Sequence, residues 1–224
     1  MRLQPPGFMT RIEGLCRKHD VLLICDEVAT GFGRTGKMFA VEHEGVEPDF
    51  LCLAKGISGG YLPLAATLTT ARIFDGFRGR YDEFKAFFHG HSYTGNPLAC
   101  AAGIASLEIF EKDGVLASLA SKIETCRKGL EKFAAHPHVK EVRQLGLMIG
   151  IELIQDKAKS LEYPPSLKMG AKICRRARGE GVLLRPLGNV LVVMPPLAID
   201  KDSILKVLDV LYRSMDEMTN NAEI

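Results

Sequence analysis

The sequence predicts an α/β domain built on a mostly parallel sheet, followed by a smaller α+β domain. In the first half, short continuous apolar runs alternate with helical patterns, which is typical of parallel strands that are covered on both faces. In the second half, pairs of strands alternate with single helices. The 224 residues are 46% hydrophobic and 25% charged, an ordinary globular balance. We therefore place the first domain at residues 1–113 and the second at residues 114–224.

The individual elements follow from apolar periodicity and from helix-capping residues. Asn96 and Pro97 predict a helix start, because Asn caps helix N-termini and Pro suits the first helical position. In the first domain we predict a helix from residue 8, a strand at 21–26, a helix at 38–44, strands at 49–55 and 64–69, and a helix at 98–112. In the second we predict a helix at 115–135, strands at 139–145 and 148–153, a helix at 166–179, strands at 182–185 and 190–193, and a helix from residue 200.

Charge and apolar run length exclude several classes of protein. The 29 Lys and Arg residues against 27 Asp and Glu leave a net charge of +2, so no broad field favours nucleic acid or an anionic membrane. The apolar runs are far shorter than the roughly 20 residues that a bilayer requires. We therefore expect a cytoplasmic protein that binds neither nucleic acid nor membrane.

Six cysteines are scattered along the chain without the spacing of a zinc site. They are Cys16, Cys25, Cys52, Cys100, Cys126 and Cys174. Because most of them lie within apolar runs, we expect buried, reduced thiols and no metal.

Two carboxylates, Asp26 and Glu27, follow the first predicted strand and so lie at the carboxyl edge of the sheet, where α/β proteins bind ligands. The nearby segment 31–37 partly imitates the phosphate loop of a nucleotide hydrolase. It departs from that motif because Met38 replaces the hydroxyl residue that holds the metal, and because the loop follows the acid instead of preceding it. Nucleotide hydrolysis remains an alternative at this stage.

Lys55 ends the next predicted strand and can project into the same crevice as Asp26. Loss of water in a crevice disfavours the ammonium form, and a neutral amine can condense with a carbonyl. The alternative interpretation is a strand-end lysine that points into water, as most lysines do.

The segment 89–97 offers hydroxyl and backbone donors just before a helix start, an arrangement that suits an anion. Its two histidines, His89 and His91, have no third ligand nearby, so they do not predict a metal site.

Taken together, four segments carry a specific resemblance. They are Asp26-Glu-Val28, Gly31-Phe-Gly-Arg-Thr-Gly36, Ala54-Lys-Gly56 and His89-Gly-His-Ser-Tyr-Thr-Gly-Asn-Pro-Leu-Ala99. In this order they resemble the class III, fold-type I aminotransferases, which use pyridoxal 5'-phosphate. The segments 26–37, 64–70 and 89–96 look most like the members that aminate 8-amino-7-oxononanoate in biotin synthesis. For these, S-adenosylmethionine is the expected amino donor, although lysine-using relatives share the same motifs.

The resemblance implies a role for each of three residues at the cofactor. Asp26 would be the buried carboxylate beside the ring nitrogen, where it keeps the ring protonated. Val28 would point the same way two residues along the strand and pack against the ring, although an ordinary core valine would look the same. Lys55 would attach the cofactor covalently and move the substrate proton.

The resemblance also implies residues for the phosphate and the substrates. Ser92 would bind the cofactor phosphate from the other subunit of a homodimer, with Thr94 as a competing candidate. Arg185 would clamp a substrate carboxylate, which suits the bidentate geometry of a guanidinium. Arg34 would be a second substrate-side arginine, and Gly90 would also contact substrate. Either arginine could otherwise be a surface charge.

Members of this family are about twice as long as the 224 residues here, and the resemblance covers their carboxyl-terminal half. Three interpretations therefore compete: part of an active transaminase, a non-catalytic remnant that folds without turnover, and a nucleotide hydrolase. If the chain is part of a transaminase or a remnant of one, we expect it to be inactive by itself and to bind the cofactor weakly.

Overall fold

The computed structural model describes residues 2–220, which form two compact units. The first unit comprises residues 4–116, and the second comprises residues 117–220 together with residues 2–3. No helix within residues 2–220 is long and apolar enough to cross a bilayer.

The first unit is built on a three-stranded sheet with the order β1-β2-β3. Its helices and strands are α1 (Phe8–Lys18), β1 (Ile24–Asp26), β2 (Phe50–Leu53), β3 (Ala66–Thr69), α2 (Ala71–Asp75) and α3 (Pro97–Lys112). Short 3-10 turns lie at Ala40–His43, Lys55–Ser58 and Tyr81–Glu83. β1 pairs with β2 in parallel, and β2 pairs with β3 antiparallel. The parallel pair brings the carboxyl ends of β1 and β2 to the same sheet edge.

β1 is covered on one face only. Leu23 and Cys25 are buried and pack with Val46 and with apolar side chains of α1. Three neighbouring apolar residues are exposed instead: Val21 (54%), Leu22 (46%) and Ile24 (63%). The prediction of a strand covered on both faces is therefore wrong for this chain, because no described residue covers the second face.

The buried carboxylate of Asp49 ties three elements of the first unit together. It accepts hydrogen bonds from the backbone N–H of Leu23 (2.8 Å), from Arg17 of α1 (2.8 Å) and from Arg72 of α2 (3.2 Å). These donors, with the Leu23 N–H first, lower the pKa of Asp49 below its ordinary value.

Strand length in the first unit is set by pairing. β1 begins at Ile24, opposite the first residue of β2, Phe50. Val21 lies outside the strand because its N–H donates to the carbonyl of Cys16 in α1 (2.9 Å). The predicted strands were therefore too long, the helix predicted at 38–44 is a short 3-10 turn, and α2 was not predicted.

The predicted helix start at Asn96 is confirmed. Its side-chain oxygen accepts hydrogen bonds from the N–H groups of Leu98 (2.9 Å) and Ala99 (3.2 Å). Pro97 occupies the first helical position of α3, as the sequence predicts.

The second unit is an α+β arrangement with a four-stranded antiparallel sheet of order β4-β5-β7-β6. Its elements are α4 (Val115–Ala134, which begins just before the unit boundary), β4 (Val139–Leu145), β5 (Met148–Leu153), α5 (Met169–Gly179), β6 (Arg185–Leu187), β7 (Val190–Val193) and α6 (Lys201–Asn220). Its core includes the fully buried side chains of Leu119, Phe133, Ile149, Ile151, Leu191, Leu211 and Met215.

Most elements of the second unit lie where the sequence predicts them, with one strand and one helix start as exceptions. The strand predicted at 182–185 is wrong, because the N–H of Val182 instead donates to the carbonyl of Ala177 in α5 (3.1 Å). The strand begins at Arg185 and forms a hairpin in which Leu187 pairs with Val190. α5 begins at Met169, three residues later than predicted, after a separate 3-10 turn at Pro165–Leu167.

All six cysteines are free thiols, but only Cys25, Cys126 and Cys174 are buried. Burial raises the pKa of Cys126 and of Cys174 to about 11. Cys16, Cys52 and Cys100 are half-buried, so the prediction of buried thiols is wrong for these three.

Candidate active site

Two polar residues lie at the carboxyl edge of the parallel strand pair. Asp26 is the last residue of β1 and pairs with Cys52 of β2. Lys55 opens the 3-10 turn that follows β2 after one intervening residue. The structure therefore brings the predicted carboxylate and the predicted lysine to one edge of one sheet.

The Asp26 side chain is oriented by a backbone N–H two residues later in the chain. Its Oδ1 accepts a hydrogen bond from the N–H of Val28 (2.9 Å), which fixes the turn after β1. The carboxylate is exposed, so the buried carboxylate expected here is not provided by this chain. Val28 is half-buried and lies in the turn after β1, so the strand alternation used to orient its side chain does not apply.

The neighbouring acid, Glu27, has a structural role that the sequence analysis missed. Its side chain is only 2% exposed. One carboxylate oxygen accepts from the N–H of Val41 (2.8 Å), and the other accepts from the hydroxyl of Thr30. Glu27 thus joins the turn after β1 to the 3-10 turn at Ala40–His43. The signal that could have revealed it is the hydroxyl residue three positions later.

Lys55 has a left-handed backbone with φ of 48°. That region is rarely occupied by residues other than glycine, asparagine and aspartate, and it persists where the surroundings fix it. The side chain is exposed, so the crevice expected to remove water from the amine is not formed by the described residues alone.

Arg34 lies in a tight turn between two glycines with positive φ, Gly33 (82°) and Gly36 (93°). The N–H of Gly36 donates to the carbonyl of Gly33 (2.9 Å). Partial burial of Arg34 lowers the pKa of its guanidinium from the ordinary value. The turn does not lead into a helix, as a phosphate loop must, but into the 3-10 turn at Ala40–His43.

The segment that contains Gly90, Ser92 and Thr94 is exposed. The hydroxyl of Thr94 accepts a hydrogen bond from the N–H of His91 (2.9 Å) within the loop. The hydroxyl of Ser92 has no hydrogen bond to any residue that the structure describes. Ser92 is therefore the more available of the two hydroxyls.

Arg185 belongs to the second unit. It is the first residue of β6, pairs with Val192 of β7 and is exposed. Together with Arg175 and Arg178 of α5 it lines a groove of about 610 Å³. None of the three guanidiniums forms an ion pair with a described carboxylate.

Among residues 2–220, no group of three or more His, Cys, Asp or Glu side chains is arranged to hold a metal ion.

Comparison with known proteins identifies the family. The model of the class III aminotransferases matches residues 1–215. The chain is 51% identical over 214 residues to adenosylmethionine-8-amino-7-oxononanoate aminotransferase of Aquifex aeolicus, covering 96% of this chain and 47% of that protein. The protein of the same name from Geobacter sulfurreducens is 48% identical over 219 residues, covering 98% of this chain and 48% of that protein.

Solved structures give the same result. The chain superposes on the adenosylmethionine-8-amino-7-oxononanoate aminotransferase of Methanocaldococcus jannaschii with a TM-score of 0.92 and 46% identity, covering 95% of this chain and 50% of that chain. It matches the omega transaminase of Pseudomonas jessenii in complex with PMP with a TM-score of 0.92 and 32% identity, covering 97% of this chain and 48% of that chain. The chain thus spans about half the length of these relatives and has the predicted fold-type I architecture over that half. It belongs to the class III aminotransferases, which are pyridoxal-phosphate enzymes.

Proposed function

We propose that this chain supplies the carboxyl-terminal half of an aminotransferase that converts 8-amino-7-oxononanoate to 7,8-diaminononanoate in biotin synthesis. S-adenosylmethionine is the proposed amino donor. The observation that carries the proposal is the placement of Asp26 and Lys55 at the carboxyl ends of two adjacent parallel strands. The relatives named above, at 51% and 48% identity, support the choice of substrate.

The residues at this edge fit pyridoxal phosphate. The cofactor supplies an acceptor for the electrons released when the substrate loses a proton, and it does so when its ring nitrogen is protonated. Asp26 would hold that protonated nitrogen, and the Val28 N–H orients its carboxylate. Lys55 would attach the cofactor through its amine, and its exposed position leaves that amine open to a carbonyl.

Ser92 is our proposed phosphate ligand. Its hydroxyl has no described partner, whereas Thr94 is engaged within the loop. We propose that Ser92 serves the cofactor of the second subunit in a homodimer. Exposed aromatic side chains around this segment support an interface there: Tyr81 (93%), Phe84 (73%), Phe87 (65%), Phe88 (85%) and Tyr93 (76%).

The proposed substrate contacts are Arg185, Arg34 and Gly90. Arg185 is the best supported of them, because its guanidinium is exposed and has no described acidic partner. A carboxylate is the ligand that such a group binds bidentately. We propose a cytoplasmic location for the whole enzyme, in keeping with its small-molecule chemistry.

The test is to join this chain to the amino-terminal half of the Aquifex aeolicus relative and to follow 7,8-diaminononanoate by mass spectrometry. We expect product with S-adenosylmethionine as donor and none when Lys55 is replaced by alanine. Product with lysine but not with S-adenosylmethionine would support the proposed reaction and contradict S-adenosylmethionine as its amino donor. No product with any amine would contradict the proposed function.

A further inference from the structure

Phe32, in the glycine-rich turn, contacts the residue that follows Lys55 in the chain. Its ring is 4% exposed, and its backbone is left-handed, with φ of 56°. A Cβ atom on Gly56 would lie 2.7 Å from the Cβ and 2.9 Å from the Cδ2 of Phe32. Any side chain at position 56 would therefore displace Phe32 or the turn that Lys55 opens.

Phe32 is itself held in place by two other rings. It makes edge contacts with Phe39 (centroids 5.7 Å apart, 75° between planes) and with Phe110 of α3 (6.4 Å, 61°). Because two rings pack against it, the Phe32 ring has little room to move away from Gly56.

α3 contacts the same turn through small residues. The hydroxyl of Ser106 donates to the carbonyl of Gly56 (3.3 Å). A Cβ atom on Gly103 would lie 2.9 Å from the Cδ2 of Leu64 and 3.6 Å from the carbonyl of Ile57, so α3 approaches the turn closely at this glycine. The turn after β2 thus packs between the Phe32 ring and α3.

We propose that Phe32 is a positioning residue for Lys55. The residue directly after Lys55 is fixed by Phe32 and α3, and this fixation accounts for the left-handed backbone that Lys55 adopts. The direction in which the Lys55 side chain leaves the backbone, at the sheet edge that also holds Asp26, is thereby set from outside the site. The role of the amine rests on the proposed function, whereas the geometry of the turn does not.

The first experiment measures amide hydrogen exchange in the 224-residue chain. The N–H of Gly60 donates to the carbonyl of Lys55 (3.2 Å), so its exchange rate reports on the turn. Phe32→Leu should speed this exchange roughly three- to tenfold beyond any change in global stability, and Ser106→Ala should act in the same direction. Phe133→Leu, a fully buried phenylalanine of the second unit, is the matched control. Unchanged exchange at Gly60 in Phe32→Leu would overturn the inference.

The second experiment measures how much the Lys55 amine reacts with pyridoxal phosphate. Pyridoxal phosphate is added to the same chain, the adduct is reduced with borohydride, and peptide mass spectrometry gives the ratio of label at Lys55 to label at Lys37. Gly56→Ala should lower that ratio, because its Cβ would meet the side chain of Phe32. Phe32→Leu should lower the ratio as well, because it removes the ring that holds the turn. If the wild-type chain is labelled mainly at Lys55 and neither Phe32→Leu nor Gly56→Ala changes the ratio, the positioning role is overturned and the proposed function is unaffected. Equal labelling of Lys55 and Lys37 in the wild type would also overturn the positioning role, and it would leave the proposed function standing, because that function belongs to the completed enzyme.

Discussion

Lys55 combines an uncommon backbone conformation with a side chain that no described residue buries. The sequence could place this lysine at a strand end, because the apolar run before it is visible. It could not reveal the left-handed φ or the contact of Gly56 with Phe32, because both depend on a segment more than twenty residues away. Glu27 was missed as a structural residue for the same reason, since one of its partners is the N–H of Val41.

In a completed enzyme, Lys55 should be the lysine that carries the cofactor. Borohydride reduction should fix the pyridoxyl group on Lys55, and Lys55→Ala should abolish transamination. The reason is that Lys55 shares a sheet edge with Asp26. Lys37→Ala is the control, because Lys37 is also exposed and also lies next to a glycine of the site segments. Label found mainly on Lys37 would sink the assignment.

Arg185 should affect substrate binding and leave the cofactor unaffected. Arg185→Ala removes a charged hydrogen-bond partner of a carboxylate, which contributes roughly 1.5–3 kcal/mol, or about a ten- to hundredfold rise in KM. Arg175→Ala, from the same groove, is the matched control and should leave KM near the wild-type value. The measurement is steady-state kinetics of the completed enzyme together with its cofactor absorbance. Unchanged kinetics for every carboxylate substrate would make Arg185 an ordinary surface charge.

At the scale of elements, the accuracy of the prediction depends on what sets each boundary. β4, β5 and β7 lie at the predicted residues, because in each the apolar pattern extends as far as the pairing does. β1 is shorter than its apolar run, and β6 begins where its predicted strand ended, because hydrogen-bond partners decide these boundaries. An apolar run reports burial and carries no information on which strand lies opposite.

Asp49 should control how firmly α1, the start of β1 and α2 are held together. Asp49→Asn should lower the urea midpoint of the first unit, because it weakens bonds to Leu23, Arg17 and Arg72. Asp75→Asn, an exposed acid at the end of α2, is the control. Amide exchange of Leu23 would locate the loss.

The Asp49 carboxylate should also make the stability of the first unit depend on pH. The pKa of Asp49 is lower in the folded chain than its ordinary value of 3.8. Its stabilising contribution is therefore fully present above the unfolded pKa and is lost as the pH falls through the folded pKa. The gap in urea midpoint between wild type and Asp49→Asn should shrink below about pH 4. A gap that stays constant down to pH 2 would show that Asp49 does not titrate with folding.

At the scale of the whole molecule, the exposed apolar side chains show what this chain cannot bury by itself. Val21 and Leu22 just before β1 are exposed, as is Ile24 on the open face of β1, and Leu68 of β3 is also 50% exposed. Apolar area of this kind is normally covered by another segment or another chain. The apolar surface that this chain exposes agrees with its span of about half the length of the relatives.

The 224-residue chain should be catalytically silent on its own and should bind pyridoxal phosphate weakly. The covalent attachment to Lys55 is reversible, so retention depends on donors to the phosphate, and this chain offers the Ser92 hydroxyl, which we assign to the neighbouring subunit's site. Neither Asp26 nor Lys55 is buried by the described residues, so water competes at both. Co-expression with the amino-terminal half of the Aquifex aeolicus relative should restore both cofactor absorbance and turnover, whereas co-expression with a second copy of this chain should restore neither. Measurable formation of 7,8-diaminononanoate by the purified chain with added cofactor and no such partner would overturn this prediction.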